Sequence, residues 1–163
     1  MTIREIRIFG DPVLKTVSDP VVTIDDGVRA LVEDLLDTVR LPGRAGVAAP
    51  QIGVNRRVFS YNVDGAVGYV INPQIVETSG EIEERGEGCL SVPELWFAAP
   101  RYPFARVRGI NLAGEPIEVA GTDLLAQALQ HEIDHLDGML YLDRLAGDTR
   151  REAMKMVRQS EWF

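Results

Sequence analysis

Thr122-Asp123-Leu124-Leu125-Ala126-Gln127-Ala128-Leu129-Gln130-His131-Glu132-Ile133-Asp134-His135-Leu136 is the stretch on which the reading of this chain turns. Leu124, Leu125, Ala126, Ala128, Leu129, Ile133 and Leu136 spread around most of a helix circumference, and a helix that is apolar nearly all round belongs in the interior. Thr122 or Asp123 can cap its start, and Gly138 can end it. Yet it carries both histidines of the chain, His131 and His135, with Glu132 between them. Buried polar groups are costly unless partnered, and a bound metal is one such partner. Histidines four apart on a helix face the same way and can grip one divalent ion, while the intervening Glu can handle a proton on bound water. Chance alone would supply this arrangement on the order of once in a thousand chains of such composition.

The only cysteine, Cys89, stands in Glu87-Gly88-Cys89-Leu90-Ser91 and is the evident third ligand. Closed structural zinc sites use four protein ligands, whereas two imidazoles and one thiolate leave a position open. That points to catalysis. A divalent metal lowers the pKa of its water towards ~7. Glu132 would take the water proton and deliver it to a leaving amine, a role worth roughly 10²–10⁴ in rate. The implied chemistry is hydrolysis of an amide-like bond. Gly46-Val47-Ala48-Ala49-Pro50-Gln51 presents a side-chain amide after a run of small residues, and Leu90 offers a backbone N–H beside Cys89. Together Gln51 and Leu90 can form an oxyanion hole, in which each donor is worth on the order of 10²–10³ in turnover. Taken singly, each feature has a plainer reading: two hydrogen-bonded core histidines, a buried cysteine acting as a small hydrophobe, a loop glutamine.

Elsewhere the pattern is that of one globular domain spanning residues 1–163. The chain is 45% hydrophobic and carries a net charge of −8, which disfavours nucleic-acid binding by its body. A single cysteine cannot form an internal disulfide and fits a reducing compartment. Charges at Arg4, Glu5 and Arg7 leave no signal-peptide block at the start, and no run is long enough to span a membrane, so a cytoplasmic location is expected. Asp25 to Arg40 reads as an amphipathic helix ended by Pro42-Gly43. Gly43 to Gly53 reads as a loop. Arg57 to Asn62 and Val67 to Ile71 read as a hairpin around Asp64-Gly65, interrupted at Asn72-Pro73, with a further strand over Gln74 to Thr78. Phe104 to Leu112 and Pro116 to Ala120 read as a second hairpin. Glu77 to Glu87 reads only as an acidic lead into the cysteine segment, and Gly147 to Gln159 as a polar surface helix. Short strands around one buried helix predict an α+β fold.

These three blocks, in this order and spacing, resemble the bacterial peptide deformylases, with the likeness running from Asp11-Pro12-Val13-Leu14 to the end of the chain. The resemblance implies antiparallel β-sheets packed around the central motif helix, with a helix in the N-terminal half and another at the C-terminus. It implies removal of the formyl group from N-formylmethionine on nascent chains, with release of formate. Cys89, His131 and His135 would hold the metal, Glu132 would be the acid/base, and Gln51 and the Leu90 N–H would hold the formyl oxygen. The main chain at Ala45, Gly46 and Gly88 would pair with the peptide as an added strand, and Arg101 would lie at the substrate groove. Fe²⁺ is the implied ion in cells, with Zn²⁺, Ni²⁺ or Co²⁺ able to replace it. The C-terminal helix, with Arg150, Arg151, Lys155 and Arg158 against Asp148 and Glu152, is a candidate ribosome contact or simply a solvated face.

Two positions depart from the family pattern: Arg44 where glycine is usual, and Gln127 where an apolar residue is usual near the methionine pocket. Two other functions compete. A zincin-type peptidase shares His-Glu-x-x-His but takes its third ligand downstream, whereas Cys89 lies 42 residues upstream of His131. A non-catalytic metal-binding protein would need no Glu132.

Overall fold

The computed structural model describes residues 2–163. Two antiparallel sheets and three α-helices make up the fold, an α+β architecture organised around the motif helix. Helix α1 (Asp26–Val39) starts where Asp25 accepts a hydrogen bond from the Val28 N–H. Strand β1 (Gly46–Ala48) is followed by a short 3-10 helix over Ala49–Ile52. The remaining strands are β2 (Val58–Val63), β3 (Ala66–Ser79), β4 (Glu83–Cys89), β5 (Val92–Arg101), β6 (Phe104–Ile110) and β7 (Pro116–Thr122). Helix α2 (Asp123–Leu136) carries the histidines, and α3 (Gly147–Gln159) closes the chain.

One sheet has the order β1-β2-β3-β6-β7; the other is the β4-β5 hairpin alone. Helix α2 buries Ala126, Leu129, Ile133 and Leu136 against Phe59, Val70, Ala105 and Val107 of the larger sheet. Helix α1 packs Val28, Leu31, Val32, Leu35 and Val39 with Val47, Ile52, Val58 and Ile71. Helix α3 contributes Ala153 and Val157 to a third cluster with Val92, Leu95, Leu140, Tyr141 and Leu142. All but the first three residues of α2 and His131 are buried, as its all-round apolar pattern requires.

Two expectations about strands are corrected. Asn72-Pro73 does not end a strand: β3 runs on for 14 residues, with a register shift between Ile71 and Gln74. A bulge is where proline, lacking an N–H, is tolerated. Asn72 there adopts a left-handed backbone (φ 52°) while its side-chain amide accepts from Val21 N and donates to Val21 O, holding the N-terminal loop on the sheet. The acidic lead into Cys89 is itself a strand, β4, and its hairpin partner β5 also went unread. The capping expectation is also adjusted: Thr122 occupies the N-cap of α2 without a side-chain cap bond.

Candidate metal centre and groove

The fold brings α2 and the β4–β5 turn into contact, so Cys89 meets both histidines. Cys89 Sγ lies 3.4 Å from His135 Nε2, which lies 3.1 Å from His131 Nε2. The three ligand atoms all fall within 4.8 Å of one another, making a candidate metal centre. His131 Nδ1 is bonded to Glu87 Oε2 at 2.6 Å. That leaves Nε2 of His131 pointing at the cluster, the arrangement by which a carboxylate fixes ring orientation and tautomer in metal sites.

Glu87 is held in turn. Arg101 donates to it through Nε (2.9 Å) and Nη2 (2.6 Å), and Gln127 Nε2 donates to Oε1 at 3.2 Å. Burial alone would raise the Glu87 carboxyl, but the Arg101 and His131 hydrogen bonds win and bring it down to about 2. Arg101 continues to Asp134 (2.7 Å), which also accepts two bonds from Arg144. This is the physical reason for a correction. Arg101 does not line the groove; it is 2% exposed, and it pairs with two buried carboxylates, Glu87 and Asp134.

Glu132 sits beside the cluster and is 2% exposed, with Oε1 lacking any hydrogen-bond partner among the described residues. Burial pushes its carboxyl up to about 7, only partly offset by His131. Gly46 explains itself here: a β-carbon on it would lie 2.5 Å from Glu132 Oε2. Gln51 is buried and fixed. Its Oε1 accepts from Ala48 N, and its Nε2 donates to Ser91 Oγ at 3.1 Å with Cys89 Sγ 3.8 Å away. Leu90 lies in the turn between β4 and β5 and lines the same groove.

The groove encloses about 660 Å³ and is walled by Ala45, Gly46, Gly88, Leu90, Trp96, Leu124, Gln127, His131 and Glu132 among others. Strand β1 ends one sheet, and β4 pairs only with β5, so the groove lies between two free strand edges. Asn62 N donates to Ala45 O, which makes those two residues a hydrogen-bonded pair. Antiparallel alternation then turns the polar groups of Gly46 outward, to the groove. Of the three residues expected to offer main chain, Ala45 has its carbonyl committed to β2 and Gly46 carries the open edge. Gly88 falls in the register shift between Glu87 and Cys89. At the departure from pattern, Gly43 takes the left-handed backbone (φ 81°), so Arg44 is unstrained and instead donates from Nη1 to Thr38 O. Gln127 bonds Gly86 O and Glu87, spending its amide N–H groups on the wall. Sequence reasoning missed Glu87 as the partner of His131 and overlooked Trp96; the acidic residue opening the cysteine block was the available signal for the first.

Three converging soft and borderline donors beside a buried carboxyl, whose Oε1 has no partner among the described residues, make a candidate hydrolytic metal centre. The model of the polypeptide deformylase family matches residues 3–151. A peptide deformylase of Acidothermus cellulolyticus is 48% identical over 162 residues, 99% of this chain and 89% of that protein. One from Parafrankia sp. is 49% identical over 163 residues with the same coverage. The crystal structure of a peptide deformylase from Legionella pneumophila superposes with a TM-score of 0.89 at 35% identity, covering 97% of this chain and 95% of that one. A peptide deformylase from Synechococcus elongatus, solved in complex with actinonin, gives 0.88 at 31% identity, covering 98% and 88%. The chain belongs to the polypeptide deformylase family.

Proposed function

We infer that this protein is a metal-dependent hydrolase that removes the formyl group from N-terminal formylmethionine of newly made polypeptides and releases formate. The observation that carries the reading is the convergence of Cys89 Sγ, His135 Nε2 and His131 Nε2 beside unpartnered Glu132 Oε1. Cys89, His131 and His135 would hold one divalent ion, which when bound supplies Lewis acidity and an acidified water at neutral pH. The donor set suits zinc, iron, nickel or cobalt; Fe²⁺ is our proposal for the cell.

Glu132 takes up a proton and returns it to the departing amine, a task suited to a carboxyl raised to about 7. Gln51 Nε2 and the Leu90 N–H donate to the formyl oxygen as charge builds on it. Gly46 and Gly88 bind the peptide main chain, which fills the gap between β1 and β4 as an added strand. Arg101 has no contact with substrate in this scheme. Residues 1–163 act as one catalytic domain acting on formylated nascent chains.

No helix among the described residues is long and apolar enough to cross a membrane. A cytoplasmic site of action is proposed on the single cysteine and the nature of the substrate. For the ribosome, Arg151, Lys155 and Arg158 are exposed on α3. Reversing these three charges, which leaves buried Ala153 and Val157 in place, should abolish salt-sensitive ribosome binding if α3 makes that contact.

The test is formate release from formyl-Met-Ala-Ser by anaerobically purified, metal-loaded protein, beside an internally cleavable peptide. Formate without internal cleavage is expected. Glu132→Gln should lose about 10²–10⁴ in turnover while keeping its metal. A variant of unchanged activity would leave only a metal-binding protein.

A further inference from the structure

Both ends of the chain converge on the turn that carries Cys89 and Leu90. Leu90 and Ser91 are the two turn residues between β4 and β5, and Pro93 follows in β5. The Phe9 N–H donates to Ser91 O at 2.8 Å, and the Trp162 indole N–H donates to Pro93 O at 2.9 Å. Phe163 joins the two aromatics: its ring centroid lies 6.0 Å from that of Phe9 and 6.4 Å from that of Trp162. Phe9, Cys89 and Trp162 pack against the same core cluster, that of Val92 and Leu95. The next residue, Glu94, takes φ 69°, a left-handed backbone that a non-glycine residue holds only when its surroundings over-determine it. Pro93 O belongs to the peptide that leads into Glu94, so the indole bond pins the chain at its strained point.

The N-terminal segment reaches the other oxyanion donor as well. The Arg7 N–H donates to Gln51 O at 2.7 Å. Gln51 O and Ser91 O are thus tied by N–H groups two residues apart, a span of about 7 Å at most. The bridge is stiffened from within: Asp11 N–H closes a turn on Ile8 O, Gly10 takes φ 102° inside it, and Arg7 pairs with Asp11. Gln51 follows β1 of the larger sheet, whereas Leu90 belongs to the β4–β5 hairpin, so no shared ladder sets their separation. The direct link, Gln51 Nε2 to Ser91 Oγ, runs through the very amide that the reaction engages. The main-chain bridge is independent of that amide.

Building on the deformylase reading, we propose that the two chain ends form a clasp that sets the spacing of the oxyanion donors Gln51 and Leu90, with Phe9 and Trp162 as positioning residues. The aromatic contacts hold the bridge against the turn, and the indole N–H fixes the turn from the C-terminal side. Misplaced donors weaken stabilisation of the developing charge and leave ground-state binding of the peptide intact, so the effect falls on kcat.

Trp162→Phe keeps an aromatic ring and removes only the donor; Phe9→Leu keeps apolar bulk and removes the ring. Each is assayed for formate release from formyl-Met-Ala-Ser, alone and combined with Gln51→Met, which deletes the amide and keeps its bulk. Trp162→Phe should lower kcat about two- to tenfold, the range one hydrogen bond supplies, with KM unchanged, and Phe9→Leu should act in the same direction. In the Gln51→Met background either change should cost less than about twofold, because a single remaining donor has no spacing to keep. A merely structural role predicts the same loss in both backgrounds. Hydrogen exchange of residues 88–94 in the anaerobically purified protein needs no turnover and should run about two- to tenfold faster in Trp162→Phe. Equal losses in the two backgrounds, an unchanged kcat or an unchanged exchange rate overturns the clasp. Absence of formate from the unmodified protein would sink the proposed function instead, and exchange at 88–94 would still decide whether the chain ends hold the turn.

Discussion

Gly46→Ala isolates the placement of Glu132 with a single methyl group. Gly46 lies in strand β1 and is not one of the glycines with a left-handed backbone, so alanine is conformationally admissible there. The added carbon would lie 2.5 Å from Glu132 Oε2, 2.7 Å from Cδ and 2.8 Å from Cγ. Ordinary contact needs about 3.4 Å or more, so the carboxylate must retreat by about 0.9 Å. The strand cannot yield easily, since its far side is paired to β2. Misplacing a catalytic group by about 1 Å can cost on the order of 10² in rate. Steady-state formate release from formyl-Met-Ala-Ser should therefore show kcat about a hundredfold lower, with metal content unchanged, because the three atoms nearest the added carbon all belong to Glu132.

The same methyl group stands at the free strand edge, so the KM response discriminates. A loss confined to KM would mean that Gly46 matters for pairing with the peptide and that Glu132 is undisturbed. A kcat within about fivefold of the parent would refute the steric argument. Glu132→Asp withdraws the carboxylate from the clash, so Gly46→Ala should do much less harm in that background than in the parent, the signature of two residues acting through one contact.

Removing the cation from the buried network should cost stability before anything else. Arg101→Met leaves Glu87 and Asp134 without a partner they share, a loss of about 3–5 kcal/mol and about 10 °C or more in Tm by calorimetry at this chain length. An unchanged Tm with a raised KM would restore Arg101 to the groove. Acid should act on the same pair. With a folded-state value of about 2 against the ordinary 4.5, Glu87 contributes stability that is fully present above 4.5 and is lost as pH falls towards 2. The full gap is worth about 3 kcal/mol, of which about 2 kcal/mol is lost between pH 6 and pH 3, read as a drop in urea midpoint that Glu87→Gln no longer shows. Cys89→Ala should purify with little metal; full occupancy would overturn the ligand assignment.

The helices were legible because their signals are local. Asp25 caps α1 within three residues, and the periodicity of α2 is continuous, so burial followed directly. The β4–β5 hairpin was not legible because what makes it a strand pair lies elsewhere in the chain. Gly86 and Gly88 read as loop residues until Trp96 is seen covering them. Glu87 reads as solvated acid until Arg101, 14 residues on, is seen across the hairpin. Asn72-Pro73 read as a stop because a single-residue rule cannot anticipate a bulge stabilised by Val21, 51 residues away. The site divides in the same way. The three candidate ligands and Glu132 announce themselves by spacing within one helix turn and a short block, whereas the role of Arg101 depends on which carboxylates the fold buries next to it.

The network also explains how one short segment of α2 holds two buried carboxyl groups in opposite surroundings. Glu132 and Asp134 are two residues apart and are 2% and 4% exposed. Asp134 takes one hydrogen bond from Arg101 and two from Arg144. Glu132 has no such cation in contact, and its Oε1 is unpartnered. Burial without a partner favours the protonated form of a carboxyl, as at Glu132, whereas the Arg101 and His131 hydrogen bonds hold Glu87 as the ion. Arg101 and Arg144 thus spend their charge on Asp134 and Glu87. Glu132 is left, among the described residues, as the carboxyl beside the cluster that burial raises to about 7. Asp134, two residues on and so on another face of the helix, is the acid that both arginines engage, while Glu132 faces the cluster without either of them.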